Sequence, residues 1–178
     1  MKVQARGESV SHADVSSLSW LIGFRGQIKM LEIWFDGLCE QARQGGKRNP
    51  GGVATVGYAI YRNHESLKNG YGVIGVGKGM TNNVAEFTAL LEALEWLQEN
   101  KFNDQRIVIR GDSKLVIEQV KGNWKIKSAT SRKFVPKIQK LLLGRRAQLF
   151  WVSREENREA DALSNKACNI YKLMNLRF

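Results

Sequence analysis

The sequence predicts one α/β domain built on a mixed sheet of five strands. Two observations carry this prediction. Three segments with period-two alternation follow one another closely, separated by stretches rich in Gly, Asn and Pro, which is typical of an antiparallel meander. Two later strands alternate with helical segments, which favours their parallel addition to that meander. The predicted order is β-β-β-α-β-α-α-β-α, within the 178 residues expected of a single domain.

The three meander strands are predicted at IKMLEIWFDG, VATVGYAIYR and NGYGVIGVGKG, residues 28–37, 53–62 and 69–79. In the first of them Leu31, Ile33 and Phe35 share one face, and Asp36 ends the strand on the other. The Gly-rich basic stretch 38–52 is expected to be a loop that joins the first two strands.

A helix is predicted next, because Thr81, Asn82 and Asn83 offer capping side chains before an apolar pattern of period 3.6. Glu86 lies at the edge of its apolar face, whereas the other acids of the helix point away. The remaining elements are a strand RIVIRG, a helix SKLVIEQVKG capped by Asp112 or Ser113, a helix SRKFVPKIQKLLLG with Pro136 near its first turn, a strand AQLFWV and a helix ENREADALSNKACNIY.

Composition predicts three parts of the chain and a reducing cellular compartment. Residues 1–27 are Ser-rich without sustained periodicity and are expected to form a loosely ordered extension, with the folded domain at 28–172 and a tail at 173–178. No segment is long and apolar enough for a membrane span. Cys39 and Cys168 are far apart without CxxC spacing, so we expect reduced thiols in a cytoplasmic protein. We also expect a monomer.

The charge balance indicates a polyanionic partner. Lys plus Arg number 28 against 17 Asp plus Glu, a formal net charge of +11, and this excess is typical of nucleic-acid binders. The two histidines, His12 and His64, lie in polar stretches and do not indicate histidine-based catalysis or ligation.

Four acids stand out from this basic background: Asp36, Glu86, Asp112 and Asp161. Each alone has an ordinary explanation, as a turn former, an edge salt bridge, a helix cap or a solvated flank. If the strand ends and helices bring them together, they would form an all-oxygen cage suited to Mg²⁺ or Mn²⁺ rather than zinc. Such a cage can hold two ions roughly 4 Å apart for phosphodiester hydrolysis.

Four motifs surround these acids in order: WFDG, TNNVAEFTALLEAL, RGDSKLV and ENREADALSNKA. Together they resemble the type 1 ribonuclease H family over roughly residues 29–171. The resemblance implies the ribonuclease H-like fold, with three antiparallel strands, then two parallel ones, and helices on both sides of the sheet. It also implies an endoribonuclease that cuts the RNA strand of RNA/DNA hybrids with two Mg²⁺ or Mn²⁺ ions, leaving 5′-phosphate and 3′-hydroxyl ends.

By the same resemblance Asp36, Glu86 and Asp112 would hold the ions, and Asp161 would complete the second site. Asn49, Asn82 and Asn83 match positions that contact the minor groove or the RNA 2′-hydroxyls. Further substrate contacts are expected at Ser113, Trp124, Lys125 and Asn157. Ser113 could equally be a helix cap or an outer-shell residue, and Trp124 a packing residue.

The chain departs from the family in two places. WVSREENREAD lacks the loop histidine that many members carry before the last acid, and Arg154 or Glu155 occupies its neighbourhood. KGNWKIKSATSRK is shorter than the Trp-rich basic protrusion of many bacterial members. Two alternatives to the hybrid nuclease remain: an enzyme that also cuts double-stranded RNA, and a catalytically silent module that binds hybrids.

Overall fold

The computed structural model describes residues 30–44, 47–102 and 106–175, with the backbone alone described for 41–44 and 47–51. The predicted extension 1–27 lies outside the described residues. Nine elements follow in the order β1 Met30–Gln44, β2 Lys47–Arg62, β3 Glu65–Lys78, α1 Asn82–Glu99, β4 Arg106–Gly111, α2 Lys114–Val120, α3 Ala129–Leu142, β5 Arg146–Trp151 and α4 Arg158–Asn175. This order is the predicted one.

The sheet has five strands in the order β3-β2-β1-β4-β5. β1 pairs antiparallel with β2, and β2 with β3, whereas β4 runs parallel to β1 and β5 parallel to β4. The predicted mixed sheet is therefore confirmed. In its register Asp36 pairs with Gly57 across β1 and β2, and Phe35 pairs with Gly111 across β1 and β4. Asp112, which directly follows Gly111, consequently lies beside the Asp36 region.

The first two hairpins differ from the prediction. The stretch 38–52, expected to be a loop, is mostly strand, because β1 continues to Gln44 and β2 begins at Lys47. Ladder pairing uses backbone groups and does not require apolar alternation, so this extension left no pattern in the sequence. β3 begins at Glu65 instead of residue 69. Asn63 and His64 have φ of 50° and 70° and form a tight two-residue turn that the expected Asn-Gly signal does not mark.

Two helices begin as their caps predict, and one begins earlier. The Thr81 side chain accepts a hydrogen bond from Val84 N at the start of α1. Ser113 holds the N-cap position of α2 without a side-chain cap bond. The side chain of Ser128 caps α3, so the helix starts at Ala129. Pro136 therefore lies in the helix interior rather than near the first turn, on a solvent-exposed position.

Helices cover both faces of the sheet. On one face α1 and α3 bury a core against the sheet whose largest members include Phe35, Phe87, Leu90 and Ile138. Each fully buried side chain of this kind contributes about 1.5–3 kcal/mol relative to exposure. On the other face α4 packs across β2, β1 and β3.

α4 continues to Asn175, so residues 173–175 of the predicted tail are helical, and 176–178 lie outside the described residues. Among the described helices, none combines the length and the apolar character that crossing a membrane requires.

Candidate active site

Three of the four predicted acids meet beside the middle of β1, at the point where β4 ends. Asp36 lies in β1, Glu86 in α1 and Asp112 directly after β4. One carboxylate oxygen from each of the three lies within 4.8 Å of the others. We call Asp36, Glu86 and Asp112 the acid trio.

Gly37 allows α1 to approach β1 closely enough to bring Glu86 into the trio. A Cβ atom at Gly37 would lie 2.1 Å from the backbone nitrogen of Glu86. A side chain at position 37 does not fit in that space, so the contact between α1 and β1 requires glycine. The Gly37 backbone also makes a hydrogen bond to the Glu86 carboxylate. The sequence places Gly37 in WFDG without revealing this packing role.

Burial and mutual repulsion make the trio costly when it is fully ionised. Asp36 is 6% exposed, and its burial, with the charges of Asp112 and Asp161, raises its pKa from 3.8 to about 6. Burial is also the main cause that raises the pKa of Glu86 well above 4.5, followed by the charges of Asp36 and Asp112. A positive charge among these oxygens would relieve both penalties.

The donor set suits a hard divalent cation. All three groups offer carboxylate oxygens, which Mg²⁺ and Mn²⁺ prefer. Glu86 Oε2 is buried and has no hydrogen-bond partner among the described residues. A buried acceptor of this kind is expected to have a ligand. The residues present therefore fit a divalent metal ion.

Asn157 supports the trio from beneath. Its Nδ2 donates to Asp112 Oδ1 at 3.0 Å and to the Phe35 carbonyl at 2.9 Å, and the residue is 0% exposed. This buried placement differs from the substrate contact that the sequence predicted, because the side chain is used within the protein. It ties the residue before α4 to the middle of β1 and to the end of β4.

Asp161 lies at the border of the site, on α4. Its carboxylate forms an ion pair with Arg154, and its charge contributes to the raised pKa of Asp36. It is thus near the trio but is not one of the three residues whose oxygens converge. Arg154 stands where the missing loop histidine was expected, and its positive charge acts on Asp36 and Glu86.

Ser164 is a site residue that the sequence analysis missed. It is fully buried, and its hydroxyl donates to Asp36 Oδ2. A signal was present, since Asn157, Asp161 and Ser164 follow at i, i+4 and i+7, the spacing of one helix face.

Three of the predicted substrate residues line one cavity. Asn82 and Asn83 are exposed at the start of α1, and the Asn82 Oδ1 accepts from Cys39 N at 2.7 Å. Asn83, Trp124 and Lys125 line a cavity of about 470 Å³. The carbonyl of Lys125 is held by Gln119 Nε2 at 3.0 Å.

For two further predicted substrate residues, the structure gives only their position in the fold. Ser113 is half-buried at the start of α2. Asn49 lies in β2, where the structure describes the backbone alone.

Comparisons with known proteins agree with this geometry. The pattern of the reverse transcriptase-like family matches residues 44–167. A bifunctional protein of Mycobacterium tuberculosis is 34% identical over 124 residues, which are 69% of this chain. The chain spans about a third (33%) of the length of that relative.

Two solved structures resemble the fold along nearly their whole length. Ribonuclease H1 from the archaeon Halobacterium salinarum has a TM-score of 0.64 and 33% identity, covering 79% of this chain and 98% of that one. LC11-RNase H1, solved with an RNA/DNA hybrid, has a TM-score of 0.66 and 32% identity, again covering 79% and 98%. With the matching sheet order and the acid trio in place, the chain belongs to the type 1 ribonuclease H family.

Proposed function

We propose that the protein is an endoribonuclease that hydrolyses the RNA strand of RNA/DNA hybrids and leaves 5′-phosphate and 3′-hydroxyl ends. The observation that carries this proposal is the convergence of three carboxylates within 4.8 Å in a chain of net charge +11. Such a trio would repel a polyanion unless cations intervened. The hybrid complex of LC11-RNase H1 supports the substrate class.

Asp36, Glu86 and Asp112 would hold two Mg²⁺ ions, with Mn²⁺ as the alternative, and Asp161 would complete the second site. When bound, such ions activate a water molecule and stabilise the leaving 3′-oxygen of the phosphodiester. The protein contributes a fixed arrangement of carboxylates. Asn157 holds Asp112 in place, and Gly37 holds Glu86.

Arg154 would act at the substrate side of the site. It is 67% exposed, so its guanidinium can exchange Asp161 for a phosphate oxygen of the substrate. That exchange would release the Asp161 carboxylate toward the site. Arg154 would thereby serve in the region where many family members carry a histidine.

Substrate discrimination is assigned to the start of α1 and the neighbouring cavity. The Asn82 amide keeps its two N–H donors for a minor-groove acceptor or a 2′-hydroxyl, because its oxygen is used by Cys39 N. Trp124, 44% exposed, offers a face for stacking, and Lys125 and Lys127 offer charge to the phosphates of a nucleic-acid strand. Asn49 and Ser113 remain predicted contacts.

The substrate is tested with matched labelled duplexes of one sequence: RNA/DNA hybrid, double-stranded RNA and double-stranded DNA. We expect efficient cleavage of the hybrid only in its RNA strand. Equal cleavage of duplex DNA would refute the proposal, and comparable cleavage of duplex RNA would establish the broader nuclease. Hybrid binding without any cleavage in either metal would establish the silent binding module.

The metal is tested by titrating Mg²⁺ and Mn²⁺ into cleavage reactions of the wild type and Asp36→Asn. We expect cleavage activity in the wild type alone, rising with metal concentration.

We also propose that the protein is monomeric and cytoplasmic. Cys39 and Cys168 both lie in the described residues and are free thiols, as a reducing compartment requires.

A further inference from the structure

Ser164, on α4, contacts Asp36 of the trio. Glu86, on α1, approaches from the opposite face of the sheet. Its side chain is fully buried, so the hydroxyl cannot reach solvent or substrate. The hydroxyl donates to Asp36 Oδ2. It therefore acts on the site only through Asp36.

The position of Ser164 depends on two residues of β2. Gly57 is the cross-strand partner of Asp36, and a Cβ there would lie 2.3 Å from the Ala160 carbonyl oxygen and 2.4 Å from Ser164 N. Because Gly57 has no side chain, α4 can lie directly above Asp36. Thr55 Oγ1 then donates to the Ser164 carbonyl at 2.9 Å, in a buried bond that fixes the helix turn.

The single hydroxyl proton of Ser164 has two possible acceptors, Asp36 Oδ2 and the Asp161 carbonyl oxygen at 2.9 Å. The Asp161 carbonyl also accepts from Asn165 Nδ2 at 2.7 Å. The Asp36 carboxylate is the charged acceptor, and hydrogen bonds to charged acceptors are stronger. The hydroxyl is therefore directed to Asp36 whenever that carboxylate is ionised.

We infer that Ser164 is a positioning residue that orients the Asp36 carboxylate for divalent metal binding. The inference rests on the proposed function, since it assigns the support of the same metal site. Outer-shell hydrogen bonds of this kind fix the direction of a ligand, and their loss typically weakens metal binding by roughly 10- to 100-fold.

The test is calorimetric titration of Mn²⁺ into the metal-free full-length protein, with no substrate present. The wild type is compared with Ser164→Ala, Ser164→Thr and Thr55→Val. Thr55→Val removes a buried hydrogen bond of the same helix turn but leaves the Ser164 hydroxyl, so it separates loss of that support from loss of the hydroxyl itself. Thermal unfolding and hybrid binding without metal are measured for each variant.

Ser164→Ala is expected to weaken Mn²⁺ binding by about 10-fold, with hybrid affinity retained and kcat recovering as Mn²⁺ is raised. Ser164→Thr, which keeps the hydroxyl, should bind Mn²⁺ more tightly than Ser164→Ala. Thr55→Val should lower thermal stability with a smaller effect on Mn²⁺ affinity.

Mn²⁺ affinity of Ser164→Ala within about twofold of wild type would overturn the inference, as would equal Mn²⁺ affinities of Ser164→Ala and Ser164→Thr. Wild-type protein that binds Mn²⁺ but does not cleave a hybrid would refute the proposed function and leave the role of Ser164 measurable. Wild-type protein without any Mn²⁺ binding would overturn both.

Discussion

Asp36 and Glu86 are buried carboxylates of the trio, and their burial disfavours the ionised form. Both are carboxylates whose pKa is raised mainly by burial, and both face further acids of the trio. The metal-free protein consequently loses stability where these groups ionise, and a bound cation restores it. The repulsion and burial that destabilise the ionised carboxylates in the metal-free protein are relieved by a bound cation, which favours metal binding.

Asp36→Asn should stabilise the metal-free protein at neutral pH. The pKa of Asp36 is about 6 in the folded protein against 3.8 normally. The stabilising proton is present below pH 4 and is lost as the pH rises through 6, a cost of about 3 kcal/mol for two pKa units. The variant has no such proton to lose.

Thermal unfolding in chelator at pH 4.5 and 7.5 measures this difference. We expect the wild type to lose more stability than Asp36→Asn between the two pH values. Identical pH dependence in the two proteins would contradict the raised pKa of Asp36.

Arg154→Ala should lower kcat by about 10-fold with little change in melting temperature. An exposed ion pair contributes about 0–1 kcal/mol to stability, and Arg154 is 67% exposed. Under the proposed function this guanidinium, paired with Asp161 in the free protein, would contact a phosphate of the substrate during turnover. Steady-state cleavage and thermal unfolding check both halves of the prediction. Unchanged kcat would show that Arg154 has no part in turnover.

At the scale of elements, the site depends on how closely α4 lies on β2. Gly57→Ala should destabilise the protein by about 2–3 kcal/mol, because the new methyl meets backbone atoms of α4 that cannot move independently. Cleavage should fall with it, since Asn157 and Ser164 are carried by the same segment.

Gly72→Ala is the matched control on β3, because a Cβ there meets nothing within 4 Å. Chemical denaturation of both variants gives the comparison. Equal stability of Gly57→Ala and Gly72→Ala would show that α4 does not pack as described.

The elements themselves were largely predictable, and their limits were not. The apolar period and the Thr81 cap predicted α1, and the alternation in β1 predicted its two faces. The long first hairpin was missed because backbone pairing leaves no side-chain pattern. The start of α3 was missed because Ser128 is one of several possible capping residues in that stretch. Since the helix begins at Ala129, Pro136 lies in its interior.

At the scale of the whole molecule, the sequence identified the acids but not the residues that support them. Asp36, Glu86 and Asp112 could be predicted because the family motifs around them single out acids that each have an ordinary explanation when taken alone. Gly37, Gly57 and Ser164 act through close approaches between distant segments. Such contacts depend on the tertiary arrangement, and the sequence marks only one of these residues, Ser164, through its helix-face spacing from Asp161.

We propose that the catalytic domain begins at residue 28 and continues through α4, and that residues 1–27 are dispensable for cleavage. The described fold begins at Met30, whose backbone nitrogen donates to Asn63 Oδ1 at 3.1 Å. A protein beginning at residue 28 keeps this contact. It should cleave a hybrid at a rate within about twofold of the full chain, as is usual when a terminal segment is removed. A large loss of activity or of folding would assign residues 1–27 a part in the domain.

The central claim is that the acid trio carries metal-dependent hydrolysis of the RNA strand. It is tested most directly by single-turnover cleavage of a labelled RNA/DNA hybrid in Mg²⁺ with the wild type and Asp112→Asn, with hybrid binding measured in parallel. The substitution preserves the size of the side chain next to Asn157 and removes its charge. We predict that Asp112→Asn loses cleavage by at least about 100-fold, as expected when a metal ligand is lost, and binds the hybrid as well as the wild type. Full cleavage by Asp112→Asn would contradict the account.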